Sequence, residues 1–151
     1  MEKSISIVIP TLNEESNIGR CLESIFRQKF KGKLEVFLID GGSSDHTIEI
    51  ARSYKVKILN NPYVNAESGK MVGLRASTGS YFMILDADMD LQGTDWFDKM
   101  IKPLLENPNI SGSFTKFVAK RWDSLLSRYI TIDIIQRDPL FRFLTSDPQQ
   151  V

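Results

Sequence analysis

Two carboxylates separated by one small residue are the strongest chemical signal in this chain. Asp86 and Asp88 directly follow the apolar run of residues 81–85. A run of that kind predicts a strand buried inside a parallel sheet. Residues i and i+2 of an extended chain can point the same way, and carboxylate oxygens are the ligands that Mg²⁺ and Mn²⁺ prefer. The pattern therefore predicts a divalent-cation site, although an isolated motif of this length more often marks a solvated acidic turn.

Polar residues also follow two other predicted strands. The first strand is followed by Thr11, Asn13 and Glu14, and the second ends at Asp40 before a glycine pair. Because the carboxyl ends of parallel strands share one edge, where open α/β sheets bind ligands, we expect these groups to converge. The positive charge of Lys70 near the start of a predicted helix is unfavourable for the helix dipole. A bound phosphate would interact favourably with both the lysine and the free amides of the helix start. The alternative for Lys70 is a solvated surface charge.

The hydrophobic pattern predicts strands alternating with helices. The predicted strands are residues 4–10, 33–40, 56–59, 81–85 and 111–119, and the predicted helices are 13–28, 46–54, 66–76, 96–106 and 122–136. In the first helix, Ile18, Leu22, Ile25 and Phe26 form one apolar stripe. We expect Asp45 to cap the second helix, and Pro103 to kink or shorten the fourth. Such alternation favours a mainly parallel sheet with helices on both faces, which is a three-layer α/β fold.

Composition narrows the class of protein. The chain has 151 residues, suited to one domain, and a formal net charge of zero, so no overall field attracts nucleic acid. Its one cysteine, Cys21, excludes an internal disulfide and fits a reducing compartment. No run is long enough to span a membrane and no signal peptide is visible, so we expect a soluble, cytoplasmic chain.

The last third of the chain is basic. Arginines interleaved with aromatic and apolar residues could form a surface for anionic lipid or for a partner subunit. That interpretation predicts peripheral contact at the cytoplasmic membrane face, or a homodimer. Ordinary core packing with a solvated basic face is the favoured alternative.

Four segments, in order, resemble the N-terminal half of family 2 glycosyltransferases with the GT-A fold. They are residues 9–15 (IPTLNEE), 39–47 (IDGGSSDHT), 69–70 (GK) and 85–88 (LDAD). The resemblance implies a nucleotide-diphosphosugar donor, usually UDP-linked, with Mg²⁺ or Mn²⁺ as cofactor. It also implies inversion at the anomeric carbon and a saccharide or lipid-linked acceptor that the sequence does not identify.

The resemblance also implies roles for particular residues. Asp88 would hold the metal, Asp86 the metal or the ribose, and Lys70 would lie near the pyrophosphate. The donor-binding residues that it implies are Pro10, Thr11, Asn13, Glu14, Asp40, Gly42, Lys70, Asp86 and Ala87. The carboxylate of Asp40 can accept a hydrogen bond from the N–H of uracil. Guanine also has N–H donors, so this residue does not distinguish UDP from GDP. The alternative for Asp40 is a turn residue that accepts from the amides after it.

The family pattern lacks one part in this chain. Related enzymes carry a general base in a Glu-Asp type motif well beyond the two carboxylates, and no such pair follows Asp88. The later aspartates are better explained as turn or cap residues; they are Asp123, Asp133, Asp138 and Asp147. We therefore expect one GT-A-like domain over residues 1–151, truncated at its C-terminus, with a nucleotide and metal half (1–100) and an incomplete acceptor side (101–151). The catalytic base stays unknown.

Two rival functions remain open. The first is a non-catalytic module that binds a nucleotide sugar but lacks the base. The second is a nucleotidyltransferase, which would need a glycine-rich basic loop after the first strand to receive a triphosphate. Residues 11–16 contain neither glycine nor lysine, which disfavours the second rival.

Overall fold

The computed structural model describes residues 3–113, and within them strands and helices alternate along the chain. The elements are β1 (Ser4–Thr11), α1 (Ile18–Phe26), β2 (Lys33–Asp40), α2 (Thr47–Arg52), β3 (Lys57–Asn60), α3 (Ala66–Ala76), β4 (Tyr81–Ile84) and α4 (Trp96–Glu106). All eight belong to one unit of the chain, Met1–Glu106. No helix in the described part is long and apolar enough to cross a bilayer.

The four strands form a parallel sheet in the order β3-β2-β1-β4. β1 is central and pairs with β2 so that Thr11 lies opposite Asp40. On its other side, Val8 lies opposite Ile84 of β4. The predicted mainly parallel sheet is confirmed, and its carboxyl ends share one edge.

Helices cover both faces of the sheet. One face carries Val8, Phe37 and Ile39, which pack against Val72 and Ala76 of α3. The other face carries the larger core, formed by the remaining apolar side chains of β1 and β2 with buried residues of α1, α2 and α4. The three-layer α/β arrangement is therefore confirmed.

α3 lies unusually close to β1, because two glycines face the strand. A Cβ atom at Gly73 would lie 2.2 Å from Val8 Cγ1, and one at Gly69 would lie 3.3 Å from Pro10 Cβ. Only glycine permits so close an approach. The close packing places Lys70, next to Gly69, beside the carboxyl end of β1.

The start of the first helix differs from the prediction. α1 begins at Ile18 rather than at Asn13, because Asn13 has a φ of 54° and so lies in the left-handed region. Cys21 takes a fully buried place on the apolar stripe. Phe26, the last residue of the predicted apolar stripe, is 39% exposed and stacks on Tyr54.

Two further expectations need correction. β4 is buried on one face only, since Phe82 and Ile84 are 38% and 43% exposed. α4 has its predicted bounds with Pro103 inside it, so this proline does not shorten the helix. Residues 111–113 are not in a strand, and the rest of the predicted strand 111–119 lies outside the described residues, as does the helix 122–136.

The buried carboxylate of Glu35 lies near the amino-terminal ends of β1 and β2 and joins several parts of the chain there. Glu35 Oε1 accepts from Ser6 Oγ at 2.6 Å and from the N–H groups of Thr78 at 2.6 Å and Gly79 at 3.1 Å. Lys57 Nζ lies 3.3 Å from Oε2. Burial by itself raises the pKa of Glu35, but the hydrogen bonds from Ser6 and Thr78 outweigh it and lower the pKa to about 2.

Replacing Glu35 with alanine should destabilise the fold by about 2 kcal/mol or more, because buried donors lose their acceptor. A depressed pKa contributes stability that is present above the ordinary glutamate pKa and is lost as the pH falls toward 2. The difference in unfolding free energy between the unaltered chain and Glu35→Gln should thus shrink from pH 5 to pH 2. Urea unfolding across that range measures it; a constant difference would contradict the assignment.

Candidate functional site

Asp40 shapes the turn after β2. Its Oδ2 accepts from Gly42 N–H at 3.0 Å, and its Oδ1 accepts from the Ser43 hydroxyl at 2.6 Å. Ser43 N–H also donates to the carboxylate. Gly42 has a φ of +95°, which glycine adopts without strain. Asp40 therefore has the turn role that was its alternative assignment, and a carboxylate has lone pairs enough for a further donor.

Asn13 joins the loops that follow β1 and β2. Its N–H donates to Ser43 Oγ at 2.9 Å, and its Oδ1 accepts from Ser44 N–H at 2.9 Å. Gly41 N–H donates to the Thr11 carbonyl at 2.9 Å, which continues the strand pairing past Asp40. The two loops thus form one hydrogen-bonded frame at the edge of the sheet.

Glu14 and Asp45 connect that frame to the two helices. Glu14 N–H donates to Thr47 Oγ1 at 2.7 Å, and Glu14 Oε2 accepts from Asn17 Nδ2 at 2.8 Å. Asp45 accepts from Thr47 N–H at 3.0 Å and from Glu15 N–H at 3.1 Å. Desolvation raises the pKa of Asp45, but the Thr47 hydrogen bonds outweigh it and lower it. The N-cap position of α2 is occupied by His46, one residue after the predicted cap, and Asp45 instead accepts from the first amide of the helix, that of Thr47.

Pro10 and Thr11 form the end of the central strand. Thr11 is 5% exposed and its hydroxyl donates to the carbonyl of Ile9 at 3.0 Å. Pro10 lies under the first turn of α3, at Gly69. Both residues therefore form part of the buried base of the candidate site, between β1 and α3.

Lys70 pairs with Glu67 on α3. Its Nζ donates to Glu67 Oε1 at 2.5 Å, and the side chain is 29% exposed. The hydrogen bond to Glu67 raises the pKa of Lys70, and the charge of Asp86 adds to the effect. At the start of α3, Asn65 Oδ1 accepts from Ser68 N–H at 2.8 Å, so one amide expected to meet a phosphate is already satisfied.

Asp86 and Asp88 begin the carboxylate loop, which we define as residues 86–95. Leu85 N–H still pairs with β1 through the Val8 carbonyl at 3.0 Å. Both aspartates are exposed, whereas Ala87 between them is 4% exposed. Burial of Ala87 fixes the backbone from which the two carboxylates project. Among residues 3–113 no three histidine, cysteine or acidic side chains gather closely enough to bind a metal by themselves.

α1 lies against the other side of this loop. Cys21 Sγ is 3.8 Å from the Asp86 carbonyl. Burial raises the pKa of Cys21 to about 12, and the negative charges of Asp88 and Asp90 add to it. α1 therefore contacts the backbone of the loop at both carboxylate positions, since Arg20 Nη2 also lies 3.5 Å from the Asp88 carbonyl. The predicted site residues thus stand around one edge of the sheet.

Two residues of this edge were not singled out from the sequence. Asn65 directly precedes the predicted helix 66–76, and asparagine at that position is a recognised capping signal. Ser43 follows Asp40 by three residues, a spacing typical of a turn closed by an aspartate. Both signals were present in the sequence, but neither points to ligand chemistry.

The fold and the strand-end carboxylates define an α/β domain of the GT-A class. The chain belongs to glycosyl transferase family 2, whose family model matches residues 6–147. This confirms the family resemblance inferred from the four segments.

Curated relatives agree with the family. The chain is 26% identical over 149 residues to glycosyltransferase AglE of Haloferax volcanii, covering 89% of this chain and 49% of that protein. It is 34% identical over 96 residues to a PGL/p-HBAD biosynthesis glycosyltransferase of Mycobacterium tuberculosis, covering 60% and 37%. The chain thus spans about half the length, or less, of these relatives.

Solved structures share the fold. The S. aureus TarS fragment 1-349 in complex with UDP matches with a TM-score of 0.61 at 22% identity, over 78% of this chain and 40% of that one. Glucosyl-3-phosphoglycerate synthase from Mycobacterium tuberculosis, in complex with Mn²⁺, UDP and glucosyl-3-phosphoglycerate, matches with a TM-score of 0.56 at 25% identity, over 68% and 40%. These neighbours confirm the GT-A fold.

Asp45→Ala should lower the melting temperature by about 3 °C, because the amides of Thr47 and Glu15 lose their acceptor. Asp45→Asn is the matched control, since asparagine also accepts from Thr47 and should change the melting temperature little. Thermal unfolding monitored by circular dichroism measures both. Equal losses in the two variants would show that the carboxylate charge, and not the hydrogen bond to Thr47, provides the stability.

Proposed function

We propose that this chain provides the donor-binding part of a metal-dependent inverting glycosyltransferase that uses a UDP-sugar. The observation that carries the proposal is the placement of two exposed carboxylates, Asp86 and Asp88, at the sheet edge that also holds Asp40 and Lys70. Open α/β sheets bind their ligands at that edge.

Fold neighbours support this choice of donor and cofactor. The TarS fragment with UDP-GlcNAc matches this chain at 27% identity with a TM-score of 0.51. The mycobacterial synthase binds Mn²⁺ together with UDP. We extend both ligands to this chain as a proposal, with Mg²⁺ or Mn²⁺ as the cation.

The chemistry of the residues fits a hard divalent cation. Asp86 and Asp88 offer carboxylate oxygens on a short solvent-facing turn, and such cations complete their coordination with phosphate oxygens and water. A bound cation offsets the charge that develops on the departing diphosphate. Asp86 and Asp88 would therefore hold it where the donor diphosphate binds.

Lys70 and Asp40 would contact the nucleotide. The Lys70–Glu67 pair lies on the surface, where ion pairs contribute little stability, so Lys70 can exchange Glu67 for a diphosphate at small cost. Asp40 is held rigidly by Gly42 and Ser43 and retains lone pairs for a nucleobase N–H. Pro10, Thr11, Asn13 and Glu14 would support the nucleotide through the loop frame.

The general base and the acceptor are not assigned to any described residue. Transfer to a saccharide or lipid-linked acceptor, in the cytoplasm or at its membrane face, is part of the proposal, as is a homodimer. The non-catalytic binding module is the second candidate function, because the geometry of the described residues supports donor binding and assigns no acceptor chemistry. Release of UDP from UDP-GlcNAc distinguishes the two: an enzyme releases UDP slowly even into water, and a module does not.

Asp88→Asn should weaken Mn²⁺ binding in the presence of UDP by at least about tenfold, because a charged ligand becomes neutral. Isothermal titration of Mn²⁺ into protein saturated with UDP measures the dissociation constant. Asp95→Asn is the control, because Asp95 lies in the same loop but pairs with Lys99 at 2.8 Å. Equal weakening by both substitutions would refute the metal role of Asp88. An affinity for UDP that is the same with and without Mn²⁺ would refute the proposed cofactor.

A further inference from the structure

Three polar residues at the C-terminal end of α1 bind the carboxylate loop. We name Ser24, Arg27 and Gln28 the α1 clamp. Ser24 Oγ is fully buried, donates to the Cys21 carbonyl at 2.7 Å and accepts from Leu91 N–H at 3.0 Å. The hydroxyl thus gives a buried loop amide its acceptor from a neighbouring helix.

Arg27 binds the same part of the loop. Its Nη2 donates to the Leu91 carbonyl at 2.7 Å and to Asp90 Oδ1 at 3.0 Å. With Ser24 it therefore satisfies both the N–H and the carbonyl of Leu91.

Gln28 binds the end of the loop and the start of α4. Its Nε2 donates to the Gly93 carbonyl at 3.0 Å, and its Oε1 accepts from Trp96 N–H at 2.9 Å. The next residue, Lys29, donates its N–H to the Thr94 carbonyl at 2.7 Å. The contacts of the α1 clamp and Lys29 therefore extend along the loop from Asp90 to Trp96, the first residue of α4.

These contacts replace the hydrogen bonds that a strand or helix would provide. Residues 89–95 have no regular secondary structure, so their backbone groups need partners from elsewhere. α1 is a firm support, because Ile18, Leu22 and Ile25 are fully buried against the sheet. The clamp holds the later part of the loop, and α1 also reaches its beginning, where Cys21 Sγ lies 3.8 Å from the Asp86 carbonyl and Arg20 Nη2 lies 3.5 Å from the Asp88 carbonyl. The loop that carries the two carboxylates is therefore bonded to one rigid helix at both ends.

We propose that the α1 clamp positions the carboxylate loop, so that Ser24 and Arg27 set the affinity for the divalent cation without touching it. The inference rests on the proposed function, because it assumes that Asp86 and Asp88 hold that cation. Side chains that hold metal ligands in place commonly change metal affinity ten- to a hundredfold when removed. Ser24 and Arg27 are positioning residues in this sense.

Ser24→Ala and Ser6→Ala form a matched pair for the test. Ser6 is also a fully buried serine that donates one hydrogen bond, to Glu35 at 2.6 Å, and accepts one from Gly79 N–H at 2.8 Å. Ser6 lies in the amino-terminal half of β1, away from the carboxyl ends of the strands. Both substitutions should lower the melting temperature, but only Ser24→Ala should weaken Mn²⁺ binding in saturating UDP, by about tenfold.

Hydrogen exchange gives a readout that does not depend on metal. In Ser24→Ala the amide of Leu91 should exchange faster, whereas in Ser6→Ala it should keep its protection. Equal effects of the two variants on Mn²⁺ affinity, with binding intact in the unaltered chain, would overturn the positioning role alone. If the unaltered chain shows no Mn²⁺-dependent UDP binding, the proposed function fails, and the metal role of the clamp fails with it.

Arg27 provides a second test if Ser24→Ala does not fold. The Arg27 side chain is 44% exposed, so Arg27→Met should fold and should weaken Mn²⁺ binding severalfold. Arg27→Lys keeps a donor and should recover part of the affinity. Arg52→Met removes an exposed arginine from the last turn of α2 and should leave the affinity unchanged. Equal affinities for Arg27→Met and Arg52→Met would overturn the proposal.

Discussion

β1 is hydrogen-bonded in parallel to β2 on one side and to β4 on the other, and every candidate ligand group depends on this pairing. The register places Thr11 opposite Asp40, and the bond from Leu85 N–H to the Val8 carbonyl carries the pairing up to Asp86. A shift of one residue in a strand turns each of its side chains to the other face of the sheet. The site therefore exists because three strands end together in a fixed register.

Aspartates at this edge have different tasks because their surroundings differ. Asp40 and Asp45 accept hydrogen bonds from nearby amides and hydroxyls, so they build the loop frame. Asp86 and Asp88 are exposed on either side of a buried alanine. Hydrogen bonds to Asp40 and Asp45 thus hold the strand-end loops in place, while two exposed carboxylates face the solvent from which a cation and a diphosphate would arrive.

Much of the fold could be predicted because local patterns and long-range packing agree. β2, α3 and α4 have the bounds that the sequence predicted. The prediction failed at the start of α1, where Asn13 leaves the helical region to bond the β2 loop, a contact between residues about thirty positions apart. It also failed at Phe82 and Ile84, since an apolar run shows strand preference but not whether both faces are covered.

Sequence by itself determined the family, the alternating α/β order and the candidate ligands at the strand ends. Residue types and spacings along the chain carry that information directly. Only the tertiary structure decided that Asp40 closes a turn, that α3 packs closely on β1 beside Lys70, and that the end of α1 holds the carboxylate loop. These relations join positions distant in sequence, as Ser24 and Leu91 are, and no local pattern records which of many polar groups will meet once the helices pack on the sheet.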